Sequence, residues 1–228
     1  MTPQLRRVGQ SQSPVVVVDA FSGMASAASL MAVALAPFPQ PARSLYPGLR
    51  RIITEADVEA FGYVEKLCNA AAPFVAGAFD SDGFDLIEAS FSMVTVPPDR
   101  LVPLQRMPHF DSTDPNYVAL LHYLHVPAGT GTAFFRHRAT NIEQVTPGNV
   151  AAFVQAAQRD GQNLPQSSAY VQGSNSFFEE LDRVQGVEDR LIIYRGALLH
   201  SGIIPDDMAF SDDPQMGRLT TNLFVQLH

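Results

Sequence analysis

The sequence predicts a mainly β domain with flanking helices, of the α+β class. The first observation is a series of short segments after residue 84 that are rich in Val, Ile, Phe and Thr. Turn residues separate these segments, which is typical of antiparallel sheets in a sandwich or small barrel. The second is a three-to-four spacing of apolar residues before residue 84, which indicates helices. The third is size, because 228 residues with 46% hydrophobic content suffice for one well-buried core.

The N-terminal region is expected to contribute one strand and one helix. Residues 1–13 are polar and are predicted to be a flexible N-terminus, followed by a single domain over residues 14–228. The β-branched run at residues 14–18 predicts a buried strand. The Ala-rich segment at residues 24–35 predicts a helix.

A second helix is predicted from residue 54 onward. Thr54 is a good N-cap residue, and Asp57 follows three residues later. The apolar residues that come next recur at helical spacing and form a core-facing stripe: Val58, Phe61, Val64 and Leu67. Pro73 cannot donate an intrahelical hydrogen bond, so the helix is expected to stop or restart there.

The remainder of the chain is predicted to alternate strands with turns, apart from one helical insertion. The predicted strands cover residues 85–96, 101–110, 117–126, 132–137, 190–194, 196–200 and 218–227. The insertion covers residues 139–186, with one helix around Phe153, a polar loop at 160–168 and a second helix beginning at Ser174 or Asn175. With the acidic loop 203–216 it is expected to form a substrate lid, because long loops at the mouth of a rigid scaffold usually carry specificity.

Charge and cysteine content restrict the partners and the compartment. The net charge is −8 and no Lys or Arg run occurs, which argues against a nucleic-acid-binding surface. Cys68 is the only cysteine, so an intrachain disulfide is impossible and a cytoplasmic, reducing compartment is favoured. The apolar run at residues 15–36 has features of an export signal, but Asp19 and Gly23 interrupt it. Its continuous part is too short to span a membrane.

A His-x-Asp pair is the first candidate for chemistry. His109 and Asp111 project from the same face of an extended segment, so both side chains reach one point. A histidine from a neighbouring strand would complete a two-His-one-carboxylate triad, which suits non-haem Fe(II) and O2 chemistry. His200, at the end of a predicted strand and just before Gly202, is the candidate third ligand. The His-x-Asp pattern alone is weak, because a surface or turn pair also produces it.

Arg218 and Thr220 form the second candidate pair, again on one face of a strand. An arginine binds a carboxylate with two parallel hydrogen bonds, and a nearby hydroxyl adds a donor. The pair suits the far carboxylate of a dicarboxylate such as 2-oxoglutarate, whose other end would chelate a metal. The alternative for Arg218 is a salt bridge at the rim with Asp212 or Asp213.

Six motifs in order along the chain resemble a known family. They are VVVVDAF, LYPG, QRMPHFD, LHYLHVPAGTGTAFFRHRAT, LIIYRGALLHSG and GRLTTNLF. With these motifs the chain resembles the Fe(II)/2-oxoglutarate-dependent oxygenases, and within them especially a group of bacterial proteins classed as a domain of unknown function. The resemblance implies a double-stranded β-helix (jelly-roll, cupin-like) core with an N-terminal helical layer.

The resemblance also assigns roles to individual residues. It implies that His109, Asp111 and His200 are the metal ligands. It implies that Arg218, helped by Thr220, binds the C5 carboxylate of 2-oxoglutarate, and that Tyr123 contacts the same cosubstrate. Arg218 follows His200 at a longer spacing than is usual in this family, and the acidic loop 205–216 accounts for the extra residues.

Substrate contacts are expected from motifs peculiar to the smaller group. Arg136, His137 and Tyr46 lie in these motifs and are the candidate substrate-binding residues. Arg136 and His137 are adjacent on a strand, so at most one of them points inward. The isolated histidines His122 and His125 are interpreted as structural or surface residues.

The resemblance implies an enzyme that uses Fe(II), 2-oxoglutarate and O2 to hydroxylate a C–H bond. The substrate is expected to be a small molecule or peptide: an amino acid, a peptide or protein side chain, or a natural-product intermediate. Neither nucleic acid nor membrane is an expected partner, and a homodimer stays open. Two alternatives remain, a non-catalytic metal-binding module of the same fold and a cupin-like metal enzyme that does not use 2-oxoglutarate.

Overall fold

The computed structural model describes residues 3–40, 45–164 and 169–228, and within these ranges it has ten strands and three α-helices. The strands are β1 Gln4–Val8, β2 Ser13–Val18, β3 Gly48–Ile53, β4 Phe84–Val94, β5 Tyr117–His125, β6 Gly131–His137, β7 Phe178–Gln185, β8 Leu191–Arg195, β9 His200–Ile203 and β10 Leu219–Leu227. The helices are α1 Ala25–Ala34, α2 Val58–Phe79 and α3 Val150–Gln162. The prediction of a mainly β domain with flanking helices is confirmed.

The strands form two antiparallel sheets. The larger sheet has seven strands in the order β1-β2-β8-β5-β10-β4-β3, and the smaller sheet has three in the order β7-β6-β9. The last strand of the chain, β10, lies inside the larger sheet between β5 and β4. The C-terminal segment therefore joins strands that are distant in sequence.

One face of the larger sheet packs against the helices and the other lines a cavity, as β10 shows most clearly. Leu219 and Leu223 belong to a core cluster that also contains the buried residues of α1 and α2. Thr220, Asn222 and Phe224 alternate with them and line a cavity on the opposite face. Period-two alternation in one strand therefore separates the helix-packed core from the cavity.

Helix α2 is the larger part of the layer that covers the outer face. It begins at Val58, with Asp57 at its N-cap position, rather than being capped by Thr54 as predicted. The Asp57 carboxylate accepts a hydrogen bond from the Thr54 backbone N–H at 2.9 Å. The helix also continues through Pro73 to Phe79, so the prediction of a stop there is wrong. Burial of the apolar stripe on both sides of the proline outweighs the one hydrogen bond that it removes.

A buried polar network joins α2 to the larger sheet. The Tyr63 hydroxyl lies 2.6 Å from His122 Nδ1 and 2.9 Å from the Thr221 hydroxyl. On its other side, His122 Nε2 lies 2.9 Å from an Asp189 carboxylate oxygen. Each ring nitrogen of this fully buried histidine thus has a partner, and His122 is a structural residue as expected.

Part of the segment 1–13, predicted to be flexible, forms strand β1 within the described residues. Strand β1 pairs with β2, with Leu5 opposite Val16, and forms one edge of the larger sheet. The Arg6 guanidinium adds an ion pair to Asp182 of β7 at 3.2 Å. These contacts to the neighbouring strand and to the other sheet hold a polar segment that has little apolar surface of its own.

The second predicted insertion helix is also wrong, because that segment is the strand β7. Its apolar residues recur at three-residue steps, Phe178, Leu181 and Val184, which imitates a helical pattern. The register of β7 against β6 shifts between Phe134 and Phe135, and this bulge leaves Leu181 without an opposite residue. An extra residue in a strand breaks the period-two alternation, so the sequence pattern was misleading.

Two further segments differ from the predicted outline, and one is the predicted strand 196–200, because β9 begins only at His200. The stretch 101–110, predicted as a strand, contains a 3₁₀ turn at Pro103–Arg106, since its prolines cannot serve a central ladder. Part of the predicted polar loop at residues 160–168 lies outside the described residues. The apolar run considered as an export signal forms β2 and α1. In the described ranges, no helix has the length and apolar content needed to cross a membrane.

Leu67→Ala should measure how strongly the helical layer depends on its buried stripe. Leu67 is 1% exposed on α2, whereas Leu30 on α1 is 65% exposed. Leu67→Ala is expected to lower the free energy of unfolding by about 2–5 kcal/mol, because it removes apolar contacts and leaves a cavity. Leu30→Ala is the matched control and should change it by no more than about 0.5 kcal/mol. Equal effects in urea titrations would contradict the packing described.

Candidate metal centre

The three predicted ligands come together where a short segment joins the edge of the smaller sheet. His109 and His200 form an isolated antiparallel bridge, and each donates its backbone N–H to the other's carbonyl, at 2.9 and 2.8 Å. The Asp111 N–H donates to the Gly196 carbonyl at 2.7 Å. Backbone hydrogen bonds therefore hold the His-x-Asp segment beside the start of β9.

The donor atoms of the triad converge on one point. One ligand atom from each of His109, Asp111 and His200 lies within 4.8 Å of the other two. His109 Nε2 is 4.0 Å from one Asp111 carboxylate oxygen, and His200 Nε2 is 3.5 Å from the other. Two imidazole nitrogens and a carboxylate at this separation form the ligand set typical of non-haem Fe(II) sites.

The surroundings orient His200 for this role. Its Nδ1–H donates to the Leu198 carbonyl at 2.7 Å, so the Nε2 lone pair is directed toward Asp111. This is the arrangement in which a backbone acceptor fixes the tautomer of a ligating histidine. The edge of the Tyr194 ring packs against the imidazole, with the ring centroids 4.8 Å apart. Both contacts restrict rotation of the ring.

Asp111 carries a clear sign of a missing positive partner. Its Oδ2 is buried and, among the residues that the structure describes, no group makes a hydrogen bond to it. An unsatisfied carboxylate oxygen of this kind is costly unless a cation compensates it. The residues present therefore fit a divalent metal ion.

At neutral pH the triad is in the protonation states that a metal requires, although burial favours these states only for the two histidines. Partial burial in the cavity wall lowers the pKa of His109, assisted by the neighbouring His200, while the Asp111 charge opposes the change. Burial also lowers the pKa of His200 to about 4. Burial raises the pKa of Asp111 to about 6, against the positive charges of His109 and Arg50. At neutral pH the site thus presents two neutral imidazoles and one carboxylate.

The triad lies at the wall of a cavity of about 370 Å³ between the two sheets. Arg218, also in this wall, is 4% exposed and directly precedes β10. Its guanidinium carbon lies 5.6 Å from the centre of the Tyr123 ring, and Nη2 makes a long 3.5 Å hydrogen bond to the Gly131 carbonyl. Arg218 forms no ion pair with any residue in the described part of the chain, and its Nε is buried without a partner. The alternative of a rim salt bridge is therefore not what the structure shows.

The other two predicted cosubstrate residues occupy different positions. Thr220 lines the cavity, and its hydroxyl donates to the Asn222 side-chain oxygen at 3.0 Å. Tyr123 does not line the cavity; it lies behind Arg218, and its hydroxyl is 2.8 Å from that of Thr132. Tyr123 thus supports the Arg218 guanidinium from behind rather than facing the cavity.

Of the three predicted substrate residues, Tyr46 lines the cavity but Arg136 and His137 do not. Arg136 forms ion pairs with Glu143 and Glu179, and the ring of the buried His137 bridges Thr140 and Asp160. Both predictions are therefore corrected to structural roles. The physical reason is their place at the far end of β6, since the cavity meets this strand at Thr132 near its beginning.

Several cavity residues were missed by the sequence reasoning. They are Arg50 on β3, Tyr194 on β8, Asn222 on β10 and Tyr170. A signal existed for Asn222, because it lies two positions after Thr220 and so shares its face. Arg50 lies two positions after the LYPG motif, but nothing in its own pattern distinguishes it from the neighbouring Arg51.

Asp111→Asn is expected to stabilise the metal-free protein. The raised pKa of Asp111 means that its ionised form destabilises the native state. The penalty is complete above about pH 6 and disappears as the pH falls below the ordinary aspartate value of about 4. In the presence of a chelator the variant should exceed the wild type in free energy of unfolding by on the order of 2 kcal/mol at pH 7.5.

Urea titrations between pH 7.5 and pH 4.5 check this expectation, and the gap should shrink on acidification. Asp85→Asn is the control, because the Asp85 side chain is 86% exposed. With Zn(II) or Fe(II) present, the wild type should instead have the higher free energy of unfolding, since the metal stabilises only the chain that binds it. A gap that is absent at pH 7.5 or that widens toward acid would contradict the description of Asp111.

Comparison with solved structures identifies proteins of similar fold. Iron-bound HygX from Streptomyces hygroscopicus matches at a TM-score of 0.52 with 13% identity, over 94% of this chain and 83% of that one. The epimerase SnoN of nogalamycin biosynthesis, described as non-heme and alpha-ketoglutarate dependent, matches at 0.51 with 12% identity, over 94% and 78%. The collagen prolyl hydroxylase vCPH from Paramecium bursaria Chlorella virus-1, in its 2OG complex, matches at 0.51 with 10% identity, over 94% and 96%. The predicted double-stranded β-helix fold of the Fe(II)/2-oxoglutarate oxygenases is confirmed.

Sequence comparison gives a narrower assignment. No curated protein sequence matches the chain. A family model described as "Family of unknown function (DUF6445)" matches residues 1–225, which is nearly the full length. The chain therefore belongs to the DUF6445 family and has the double-stranded β-helix fold.

Proposed function

We propose that this protein is an Fe(II)- and 2-oxoglutarate-dependent oxygenase that hydroxylates a C–H bond of a small substrate. One observation carries the proposal: the cavity wall contains a convergent His109, Asp111 and His200 triad and a buried Arg218 that has no anionic partner among the described residues. A cosubstrate with a chelating end and a far carboxylate would satisfy both. The similarity in fold to the alpha-ketoglutarate-dependent SnoN and to vCPH, which was solved as a 2OG complex, supports the choice.

His109, Asp111 and His200 would hold the iron. When bound there, Fe(II) supplies the O2-dependent oxidation of a C–H bond, and the triad leaves coordination positions free for other ligands. The contribution of the chain is to keep both imidazoles neutral, while Asp111, despite its raised pKa of about 6, is ionised at neutral pH. The Leu198 carbonyl keeps the His200 Nε2 free of a proton, so that nitrogen is available as a ligand.

Arg218 would bind the far carboxylate of 2-oxoglutarate. Burial of a guanidinium without an ion pair strengthens its attraction for an anion, because little water remains to screen the charge. The Tyr123 ring holds the guanidinium from behind at 5.6 Å, and the Thr220 hydroxyl lies on the same face of the same strand segment. This arrangement orients the cosubstrate before any substrate enters.

The walls of the cavity would exclude water from the reacting centre. Phe110 and Met107 line it beside the triad and belong to the cluster that packs under α3. Leu104, on the other hand, is 43% exposed and marks the mouth. A cytoplasmic, reducing compartment is part of the proposal, because it keeps both Fe(II) and the single thiol of Cys68 reduced.

Anaerobic titration with Fe(II) and 2-oxoglutarate tests the metal assignment. The wild type is expected to develop the weak visible charge-transfer band of this class of enzyme, and His109→Ala should abolish it by removing one ligand. His228→Ala is the matched control, because the His228 side chain is 59% exposed and lies outside the cavity. A wild type without the band, or an undiminished band in His109→Ala, would reject the proposal.

Arg218→Gln tests the cosubstrate assignment. Truncating one partner of a buried charge pair costs about 2–5 kcal/mol, so the dissociation constant for 2-oxoglutarate should rise about 30-fold or more. Arg183→Gln is the control, because that arginine pairs with Glu180 outside the cavity. Fe(II) affinity should be unchanged in both variants. Unchanged 2-oxoglutarate affinity in Arg218→Gln would favour a metal enzyme that does not use this cosubstrate.

A further inference from the structure

Among the described residues, two arginines line the cavity, Arg218 and Arg50. Arg50 lies on β3, opposite Ser92 of β4, which in turn lies opposite Thr220 of β10. These residues form one row across the cavity face of the larger sheet. Two strand spacings of about 4.8 Å separate Arg50 from the strand that follows Arg218. The two cations thus occupy different parts of the wall.

The two guanidinium groups reach the cavity from different elements. Arg218 lies just before β10, whereas Arg50 lies on β3 at the edge of the larger sheet. Arg50 lines the same cavity as Asp111, and its positive charge also acts on that carboxylate. One far carboxylate of 2-oxoglutarate requires one of these cations, and the proposed function leaves Arg50 unassigned.

Arg50 is held in place but not fully satisfied. Its Nη2 donates to Glu88 at 2.5 Å and to the Ser90 hydroxyl at 2.8 Å, and its guanidinium carbon lies 5.9 Å from the centre of the Phe224 ring. Its Nε is buried and has no hydrogen-bond partner within the described ranges. The Arg50 side chain is 19% exposed, whereas Glu88 is 35% exposed. A partly solvated Glu88 compensates the charge incompletely, and an unpaired donor remains.

We propose that Arg50 binds the carboxylate of the substrate, which is a small carboxylic acid with an apolar body. The inference rests on the proposed function, because it takes Arg218 as the cosubstrate anchor. Glu88 and Ser90 orient the guanidinium, which reduces the entropy lost when an anion binds. An acid bound there lies in the same cavity as Asp111, two strands away from β10, which Arg218 directly precedes.

Size and lining define the rest of the substrate. A cavity of about 370 Å³ must hold the cosubstrate as well, so the substrate is small. The ring of Phe224 and the side chains of Leu121 and Phe110 line the same cavity and offer apolar contact to the body of the acid. The carboxylate therefore supplies orientation and the apolar body supplies burial, which is the usual division in small-molecule sites.

The test uses Zn(II)-loaded protein without O2, so that binding is measured without turnover. The probes are the common L-amino acids, their N-acetyl derivatives and the straight-chain acids from butyrate to octanoate, each paired with its primary amide. Calorimetric titration in the presence of 2-oxoglutarate should find acids that bind at least tenfold more tightly than their amides. Arg50→Gln should weaken those acids at least tenfold and change the affinity for 2-oxoglutarate less than threefold.

Arg51→Gln is the matched control, because Arg51 is the next residue and pairs with Asp57 away from the cavity. It should bind acids and 2-oxoglutarate as the wild type does. Arg50→Lys, which keeps the charge, should recover part of the acid affinity. The comparison of acid with amide uses the wild-type chain and so does not depend on the folding of any variant.

Three results would overturn the inference: no acid of the panel binds, acids and amides bind alike, or Arg50→Gln loses 2-oxoglutarate as Arg218→Gln does. The last result would make Arg50 a cosubstrate residue. Failure of the proposed function looks different, since 2-oxoglutarate would then not bind to the wild type at all. In that case an acid preference that depends on Arg50 would still identify a carboxylate site.

Discussion

The site depends on two backbone hydrogen bonds between His109 and His200. They attach a proline-rich segment to the edge of the smaller sheet and so bring together residues from distant parts of the sequence. Because both bonds use main-chain atoms, they fix the positions of the two imidazoles without occupying either ring. Among the described residues, the Nδ1 of His200 is the only one of the four ring nitrogens with a hydrogen bond, to the Leu198 carbonyl, and the others remain available. The same attachment fixes the position of Asp111, because its backbone N–H donates to the Gly196 carbonyl.

The cavity combines charges that the protein alone does not neutralise. In the described part of the chain, the buried Oδ2 of Asp111 and the buried Nε atoms of Arg50 and Arg218 lack hydrogen-bond partners. Unsatisfied buried groups cost free energy, and native proteins keep few of them. Their concentration around one cavity indicates a surface shaped for ligands rather than for maximal stability. A metal ion and one or two carboxylates would satisfy all three groups.

The sequence was informative wherever one periodicity held over a whole element. The alternation of Leu219, Thr220 and Thr221 in β10 was enough to assign its two faces. The prediction from sequence failed at β7, because a bulge at Leu181 produced helical spacing in a strand. It also failed at β1, where pairing with β2 holds a polar segment in a strand. For the site, motif order predicted the grouping of the triad with Arg218. The positions of Arg136 and His137 depend on how far the cavity extends along β6, which no local pattern records.

The distribution of cavity residues between the two sheets has a mechanical consequence. The triad belongs to the edge of the smaller sheet, whereas Arg50 and Thr220 belong to the larger one. A metal-bound ligand that also contacts an arginine would therefore connect the two sheets and oppose their separation. Ligand binding would be linked to the opening of the sandwich. Slower amide hydrogen exchange in β9 and β10 together, rather than in one sheet, would be its signature.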